Sequence, residues 1–537
     1  MLFSRHQIMF TAAVAVLAAS HAVLSCAAAR GQQSSSSRKY KVASFSPEAK
    51  KLLNDRQKLN DLSRLQKKVV GGTEPFAENK TLLTTWYVGL TFPMMTRIQG
   101  GNGAPADAVK NLERSRTVLL RDIREQKNAE FRSWLMQQVV KIMPMIAANE
   151  NFHPIARYNA MLTIAELNAR EAASVGAARR PPEPLSAAFP ILREALVSEK
   201  QIDAVRTAAM VGILRHVELD PFRSRSFGDD DKQRLVDDIL PIVQASEPPD
   251  FRSPGVHYWL RRRGTEVLAR LQAPDEEGKV ADALGGIVTD ETAPRPLRCA
   301  AGEAIERTQR LPSSFVSEPT ALAVVMGKLA ADSTHEAIEH IEKISLVAET
   351  DRGFEEGGVD GQVGGFPGML GMGAGPGLGA APGPGGGPVG RFRGDNETNS
   401  KKEVRKADWE KELELARRTL LTTLAMVHRG LRGPDHERGI WSLAQDEPHT
   451  TNISQLGEAV SALANICDAK HEEVEDLLND LRQHSDQLDA EIASLERQAD
   501  DGDALIASGD QPGASNDGPD ADGEDAEEQS LDFDGFQ

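Results

Sequence analysis

The stretch Ile202–Val217, I-D-A-V-R-T-A-A-M-V-G-I-L-R-H-V, decides the fold class of this chain. When it is drawn as a helix, its apolar side chains fall on two faces. One face carries Ile202, Val205, Ala209 and Ile213, and the other carries Met210, Leu214 and Val217. Because a surface helix needs only one apolar stripe, two stripes predict packing neighbours on both sides.

An arginine followed three residues later by a small residue recurs outside this stretch. The pattern joins Arg157 to Ala160, Arg262 to Thr265 and Arg298 to Ala301. Apolar spacing around these arginines predicts pairs of helices that recur at roughly 35–55 residues. The predicted pairs are 130–142 with 153–167, 184–197 with 201–217, 232–244 with 255–271, 277–288 with 295–311, and 319–331 with 334–347. Such units bury their apolar faces only by stacking on one another.

Three of these second helices resemble the second helix of a HEAT repeat. They are D-A-V-R-T-A-A-M-V-G at 203–212, P-L-R-C-A-A-G-E-A-I at 296–305 and P-I-A-R-Y-N-A-M-L-T-I at 154–164. The resemblance implies an all-α fold whose centre, over 129–350, is a HEAT-like helical-repeat superhelix of the armadillo-like α-solenoid kind.

The same resemblance implies that certain polar residues hold the repeats together. In that family, residues at the positions of Asp203 and Arg206 join adjacent turns through a ladder of hydrogen bonds. The structural repeat positions expected on this basis are Arg157, Asp203, Arg206, Arg262 and Arg298.

The first 29 residues have the features of a bacterial signal peptide. Arg5 precedes an apolar run at 8–19, and Ala27–Ala29 offers a small-residue cleavage site. A lipid anchor at Cys26 and an uncleaved signal are the alternatives. Each would place the chain outside the cytoplasm, in the periplasm or secreted, with any membrane association restricted to that anchor or signal.

Composition divides the rest of the chain into regions. A disordered leader is expected at 30–45, an N-terminal helical region at 46–128, a disordered insert at 351–400, C-terminal helices at 401–498, and a disordered acidic tail at 499–537. The insert is rich in Gly, Pro and Met and holds 18 of the 45 glycines within 353–394. Glycine loses much backbone entropy on ordering, and this composition offers little apolar surface to bury.

The formal net charge of −18 is concentrated in the tail. From Asp500 onwards there are 13 acidic residues and no Lys or Arg, so the rest of the chain carries only −5. A nucleic-acid partner is not expected, because such a protein needs a basic surface.

A short heptad-like run in the C-terminal helices allows two interpretations. Leucines and one isoleucine recur at Leu478, Leu481, Leu488, Ile492 and Leu495, with Ser485 in the missing position. The run either packs as a cap on the array or associates with a second copy as a short coiled coil.

No pattern in the chain predicts a catalytic, cofactor or metal site. His335 and His340 are five residues apart, so they cannot share one helix face as a zinc motif requires. The G-x-G-x-G run at 371–375 follows no predicted strand, and Asp520, Asp522 and Glu524 lack the rest of a calcium loop. The two cysteines left after signal removal, Cys299 and Cys467, make no disulfide framework.

One compact basic cluster remains, Arg261-Arg262-Arg263. If Arg262 has the repeat role, then Arg261 and Arg263 are either solvated surface residues or possible ligand contacts. The function expected from the whole pattern is an exported, non-enzymatic scaffold of the bacterial envelope that binds a protein partner. The alternatives are an accessory or sensor subunit of an envelope enzyme, and a self-associating structural component.

Overall fold

A computed structural model describes most of the region after the predicted leader. The described residues are 40–98, 105–175, 178–224, 226–275, 277–308, 311–312, 319–356, 395–433, 439–444, 447–471 and 473–507. The predicted signal peptide, Cys26, and most of the predicted leader, insert and tail lie outside them. Among the described residues, no helix is both long enough and apolar enough to cross a membrane.

The N-terminal region is helical, as its sequence predicts. Its elements are α1 (Pro47–Leu53), α2 (Arg56–Val70), α3 (Phe76–Thr84), a π-helix (Thr85–Thr91), α4 (Phe92–Met94) and α5 (Pro105–Arg124). The chain just before α1 is also held in place. The Lys41 amide donates to the Asn151 carbonyl oxygen at 2.8 Å and the Ser46 amide to that of Gly89 at 3.2 Å. Residues 40–45 therefore belong to the fold rather than to the leader.

Four helical hairpins follow. They are α6 (Ala129–Ala148) with α7 (Pro154–Ala165), α8 (Ala188–Val197) with α9 (Asp203–Glu218), α10 (Asp229–Gln244) with α11 (Pro254–Leu271), and α12 (Lys279–Thr289) with α13 (Arg295–Thr308). The second helices pack in series, α7 on α9, α9 on α11 and α11 on α13. One apolar core runs without interruption from Val69 to Leu495. This is the all-α helical-repeat architecture that the two-faced helices predict.

Two small antiparallel ladders between α7 and α8 were not predicted. β1 (Asn168–Arg170) pairs with β4 (Glu183–Pro184), and β2 (Ala173–Val175) pairs with β3 (Ala178–Arg180). The strands have two or three residues each, too few for an alternating apolar pattern to identify them.

The predicted fifth pair, 319–331 with 334–347, is wrong. Both segments lie in one continuous helix, α14 (Pro319–Glu356). Ser333 and Thr334, at the predicted boundary between the two segments, donate their hydroxyl groups to the carbonyl oxygens of Leu329 and Ala330, four residues earlier in the same helix. Such bonds let a helix continue through polar residues.

The helix that pairs with α14 lies beyond the predicted insert. It is α15 (Asp395–Arg432), which packs along α14 and also on α13, as the next second helix of the series. Residues 351–356 and 395–400 therefore belong to helices, and only 357–394 fall between them. The Gly-rich run thus separates the two helices of one hairpin.

The last two helices complete a four-helix bundle. After a 3-10 turn (Ile440–Leu443), α16 (Glu447–Asp468) packs on α15, and α17 (Val474–Ala507) packs on both α16 and α14. The five apolar residues of the heptad-like run are all buried inside the chain, each at most 6% exposed. This finding agrees with the cap interpretation and leaves that stripe unavailable to a second copy. Because α17 reaches Ala507, its helix also includes the first part of the predicted tail.

Candidate functional site

Arginines that are buried or partly buried join the two helices of three hairpins. The Nε of Arg157 donates to the Ala147 carbonyl oxygen at 2.8 Å, and that of Arg298 donates to the Val288 carbonyl oxygen at 2.9 Å. The acceptors belong to the last turn of the first helix, where carbonyl groups lack partners within the helix. A guanidinium there satisfies an orphan acceptor and places positive charge at the negative end of the helix dipole. We call these residues capping arginines.

In the third hairpin the capping arginine is Arg261. The sequence analysis assigned this structural role to Arg262, one residue later, and that assignment is wrong. Arg261 is 2% exposed, and its Nε donates to the Val243 carbonyl oxygen at 3.0 Å. Arg262 instead pairs with Glu266, Nε to Oε1, at 3.4 Å, and Arg263 contacts the same carboxylate. Arg261 is therefore a structural residue and not an accessible ligand contact, whereas Arg263 remains partly exposed.

Asp203 takes part in a contact between consecutive hairpins, whereas the hydrogen bond of Arg206 stays within its own hairpin. Arg206 donates to the Ser198 carbonyl oxygen of its own hairpin at 2.7 Å, and Asp203 accepts from the Nε of Arg252, in the next turn, at 3.0 Å. One turn earlier, Arg157 donates to the Gln201 side chain at 3.1 Å. Consecutive hairpins are thus connected by the pairs Arg157–Gln201 and Arg252–Asp203, of which Gln201 and Arg252 were not identified from the sequence.

A second row of charged side chains follows the capping arginines and Arg206 at a constant spacing along the sequence. Nine residues after Arg206, Arg261 and Arg298 come Arg215, Arg270 and Arg307, and nine residues after Arg157 comes Glu166. The sequence analysis missed this row because it took Arg262 as the reference, and nine residues after Arg262 is Leu271, which is buried.

This row lies along one flank of the second helices. In α9, a Cβ on Gly212 would lie 2.7 Å from the Leu192 side chain of α8 and 2.8 Å from the Ala165 side chain of α7, so Gly212 marks the side packed between those two helices. Ala204, Val211, Arg215 and Glu218, which are partly or fully exposed, lie together on one flank, about 60–120° around the helix from Gly212. We call the surface formed by these positions of α5, α7, α9, α11, α13 and α15 the open face.

Ion pairs on the open face link one second helix to the next. The Nε of Arg270 in α11 lies 3.3 Å from the Glu218 carboxylate of α9. Arg429 of α15 lies 3.2 Å from Glu303 of α13, and Arg307 lies 3.6 Å from the same carboxylate. One glutamate therefore serves two guanidinium groups.

At the other end of the open face, too, the arginines outnumber their glutamate partners. Arg116 of α5 lies 3.3 Å from Glu166, and Arg215 donates to the Ala165 carbonyl oxygen at 3.2 Å. Burial raises the pKa of Glu166, and the guanidinium groups of Arg116 and Arg215 oppose that shift. Burial likewise lowers the pKa of Arg215.

Positive charge exceeds negative charge among the side chains of this network. The ion pairs contain the arginines Arg116, Arg262, Arg263, Arg270, Arg307 and Arg429 and the glutamates Glu166, Glu218, Glu266 and Glu303. Six guanidinium groups against four carboxylates leave an excess of two positive charges on a chain whose total charge is −18.

Apolar side chains border the charged row on the open face. Tyr158 of α7 and Trp259 of α11 are partly exposed, with Ala204 and Val211 of α9 between them in the stack. The Arg263 guanidinium lies 5.5 Å from the centre of the Trp259 ring, within cation–π range. The open face therefore offers aromatic contact beside guanidinium donors.

The N-terminal region contains a buried polar triangle. The Gln66 side-chain amide donates to the Tyr87 hydroxyl at 2.8 Å and to the Asp122 carboxylate at 2.9 Å, and Tyr87 donates to the same carboxylate at 2.9 Å. Burial raises the pKa of Asp122 to about 6, with the hydrogen bond from Tyr87 opposing the shift. All three groups are closed off from solvent and satisfy one another, which makes the triangle a core feature.

The described residues contain no cluster of three His, Cys, Asp or Glu side chains placed to hold a metal ion. His335 lies 3.2 Å from Asp489, across the contact between α14 and α17. Cys299 and Cys467 are both free and buried, and burial raises the pKa of each thiol to about 12. A thiol in that state is a poor nucleophile. The open face is thus the candidate functional site.

Comparisons with protein-family models, with curated proteins and with solved structures returned no match.

Proposed function

We propose that this chain is a non-enzymatic, HEAT-like scaffold that binds an extended acidic segment of a protein partner along its open face. The single observation that carries the proposal is the arginine row, in which Arg215, Arg270 and Arg307 occupy equivalent positions of three successive second helices. A repeated cation at a fixed register suits an elongated ligand, because each hairpin adds an equivalent contact.

The excess of guanidinium groups supports an acidic ligand. Glu303 lies near both Arg307 and Arg429, so each guanidinium keeps N–H groups that the shared carboxylate does not use. A carboxylate of the ligand would pair with those groups. Arginine is suited to this role because its planar fork binds carboxylates through two parallel hydrogen bonds.

We also propose that the chain is exported, as expected from the signal-peptide features of its first 29 residues. The site of action is then the bacterial envelope or the exterior, and the partner is a protein of that compartment. Self-association through the heptad-like run is not part of the proposal, because those side chains are buried within the chain.

Selection from a display library of random 16-residue peptides tests the proposal. We expect the selected peptides to be rich in Asp and Glu with interspersed aromatic residues. Their affinity should fall at least about tenfold for a row variant that combines Arg270→Glu, Arg307→Glu and Arg429→Glu.

A matched control variant combines Arg64→Glu, Arg234→Glu and Arg482→Glu. These arginines also pair with carboxylates, at 3.4, 3.9 and 2.6 Å, but lie outside the open face. The control makes the same change in net charge and should bind the selected peptides like the unchanged chain. Equal binding to both variants, or selection of basic peptides, would overturn the proposal.

A further inference from the structure

We infer that the acidic segment 517–537 of this chain binds its own open face and competes there with the protein partner. The inference rests on the proposed function, and it names an occupant of the same surface. The first support is charge. Residues 510–537 hold ten acidic side chains and no Lys or Arg, whereas the ion pairs of the open face contain two more arginines than glutamates.

The segment carries both kinds of group that the open face would bind, acidic and apolar side chains. The run L-D-F-D-G-F at 531–536 alternates apolar and acidic residues. In an extended backbone, successive side chains point to opposite sides. Leu531 and Phe533 would then share one side, facing the apolar border at Trp259, while Asp532 and Asp534 would face the arginine row.

The C-terminal part of α17 packs on the helix that also contacts the end of α15. Gln498 of α17 accepts a hydrogen bond from Asn452 of α16. Glu458 of α16 lies 3.1 Å from Arg432, which is about one helical turn beyond Arg429 in α15. The last part of α17 and the end of α15 that carries Arg429 thus share α16 as a neighbour.

The connection between α17 and the segment has a long reach. Nine residues lie between Ala507 and Asp517, and an extended chain over that interval spans up to about 33 Å. Segment and surface belong to one chain, so their effective concentration is in the millimolar range for a short flexible connection. Even weak contacts would then keep the open face occupied until a tighter partner replaces the segment.

Fluorescence anisotropy with a labelled peptide of residues 517–537 tests the inference on the full chain. One variant is full length with the ten acidic residues of 510–537 replaced by Asn and Gln, which removes the charge of the competing segment. We expect this neutralised variant to bind the peptide at least tenfold more tightly than the unchanged chain. Adding the row substitutions to it should abolish binding, while adding the control substitutions should leave binding unchanged.

The outcomes separate this inference from the proposed function. If the neutralised and unchanged chains bind the peptide equally and both depend on the row, the open face takes acidic peptides but not its own segment, and only the inference fails. If the neutralised variant does not bind the peptide, the inference fails as well, while the display selection decides the proposed function independently. If light scattering shows that the unchanged chain dimerises and the neutralised variant does not, the segment occupies a second copy, which overturns binding within one chain.

Discussion

Gly302 of α13 and Gly430 of α15 face each other so closely that a Cβ on Gly430 would lie 3.0 Å from the Gly302 carbonyl oxygen. The same Cβ would lie 2.7 Å from the Met326 methyl group of α14. This contact joins the last regular hairpin to the first helices of the terminal bundle. The atoms around the two glycines are the Gly302 backbone and the buried Met326 side chain, so neither glycine has room for a methyl group.

We expect Gly430→Ala to lower the free energy of unfolding by about 1–3 kcal/mol, as overpacking of a close helix contact does. Urea unfolding followed by circular dichroism measures the change. Gly286→Ala is the matched control, since Gly286 also lies in a helix but has nothing within 4 Å of its added Cβ. The control should be neutral or stabilising by roughly 0.5–1 kcal/mol. Equal effects of the two substitutions would contradict the close approach.

The neighbouring residues Arg261 and Arg262 should differ sharply on substitution. Arg261→Met fills a similar volume but leaves the buried Val243 carbonyl oxygen without its donor, so we expect a loss of about 1–3 kcal/mol. Arg262→Met removes only a partly exposed pair with Glu266 and should cost at most about 1 kcal/mol. Thermal unfolding of both variants measures the difference. A larger loss of stability for Arg262→Met than for Arg261→Met would show that Arg262, and not Arg261, has the structural role.

Asp122 should make the N-terminal region less stable as the pH rises. Its pKa of about 6 in the folded chain lies above the ordinary value of 3.8, so the folded state retains the proton that the unfolded state has lost. The stabilisation is complete below pH 3.8 and declines as the pH increases from 3.8 to 6, by about 3 kcal/mol at most. Asp122→Asn preserves an acceptor for Gln66 and Tyr87 and should remove this decline. Denaturant titrations at several pH values compare the stability of the two chains. If stability declines equally in the Asp122→Asn variant, a group other than Asp122 causes the decline.

His216 should have the opposite effect of pH. It is fully buried, its ring centre lies 5.3 Å from that of Phe189, and neither ring nitrogen has a hydrogen-bond partner among the described residues. Burial, together with Arg223 and Arg215, lowers its pKa to about 3. The unfolded chain takes up a proton near pH 6.5 and the folded chain does not, so stability is complete above pH 6.5 and is lost as the pH falls towards 3.

We expect His216→Leu to remove this acid sensitivity. At pH 5 the variant should be more stable than the unchanged chain by about 2 kcal/mol, and the difference should shrink at pH 8. Chemical denaturation at the two pH values provides the measurement. A gain that is the same at both pH values would show that packing, and not protonation, is responsible.

The architecture of the array could be predicted from local patterns. Two apolar faces on Ile202–Val217 required helices on both sides, and the recurrence of that arrangement required stacking. The same reasoning failed for α14, because Ser333 and Thr334 act as turn residues in some contexts and as bonded helix residues in others. The choice depends on whether the neighbouring surface is covered, and α15 and α17, which cover it, come later in the chain.

The sequence by itself determined that this protein is built from paired helices, because the spacing of apolar residues along a helix records which faces are buried. Only the tertiary structure decided which of Arg261, Arg262 and Arg263 is the capping residue. Neighbouring residues on a helix differ by about 100° in direction, and sequence spacing does not fix the rotation of α11 against α10 to within that angle. Once packing fixed that rotation, it also placed Arg270 in register with Arg215 and Arg307, and so assembled the open face.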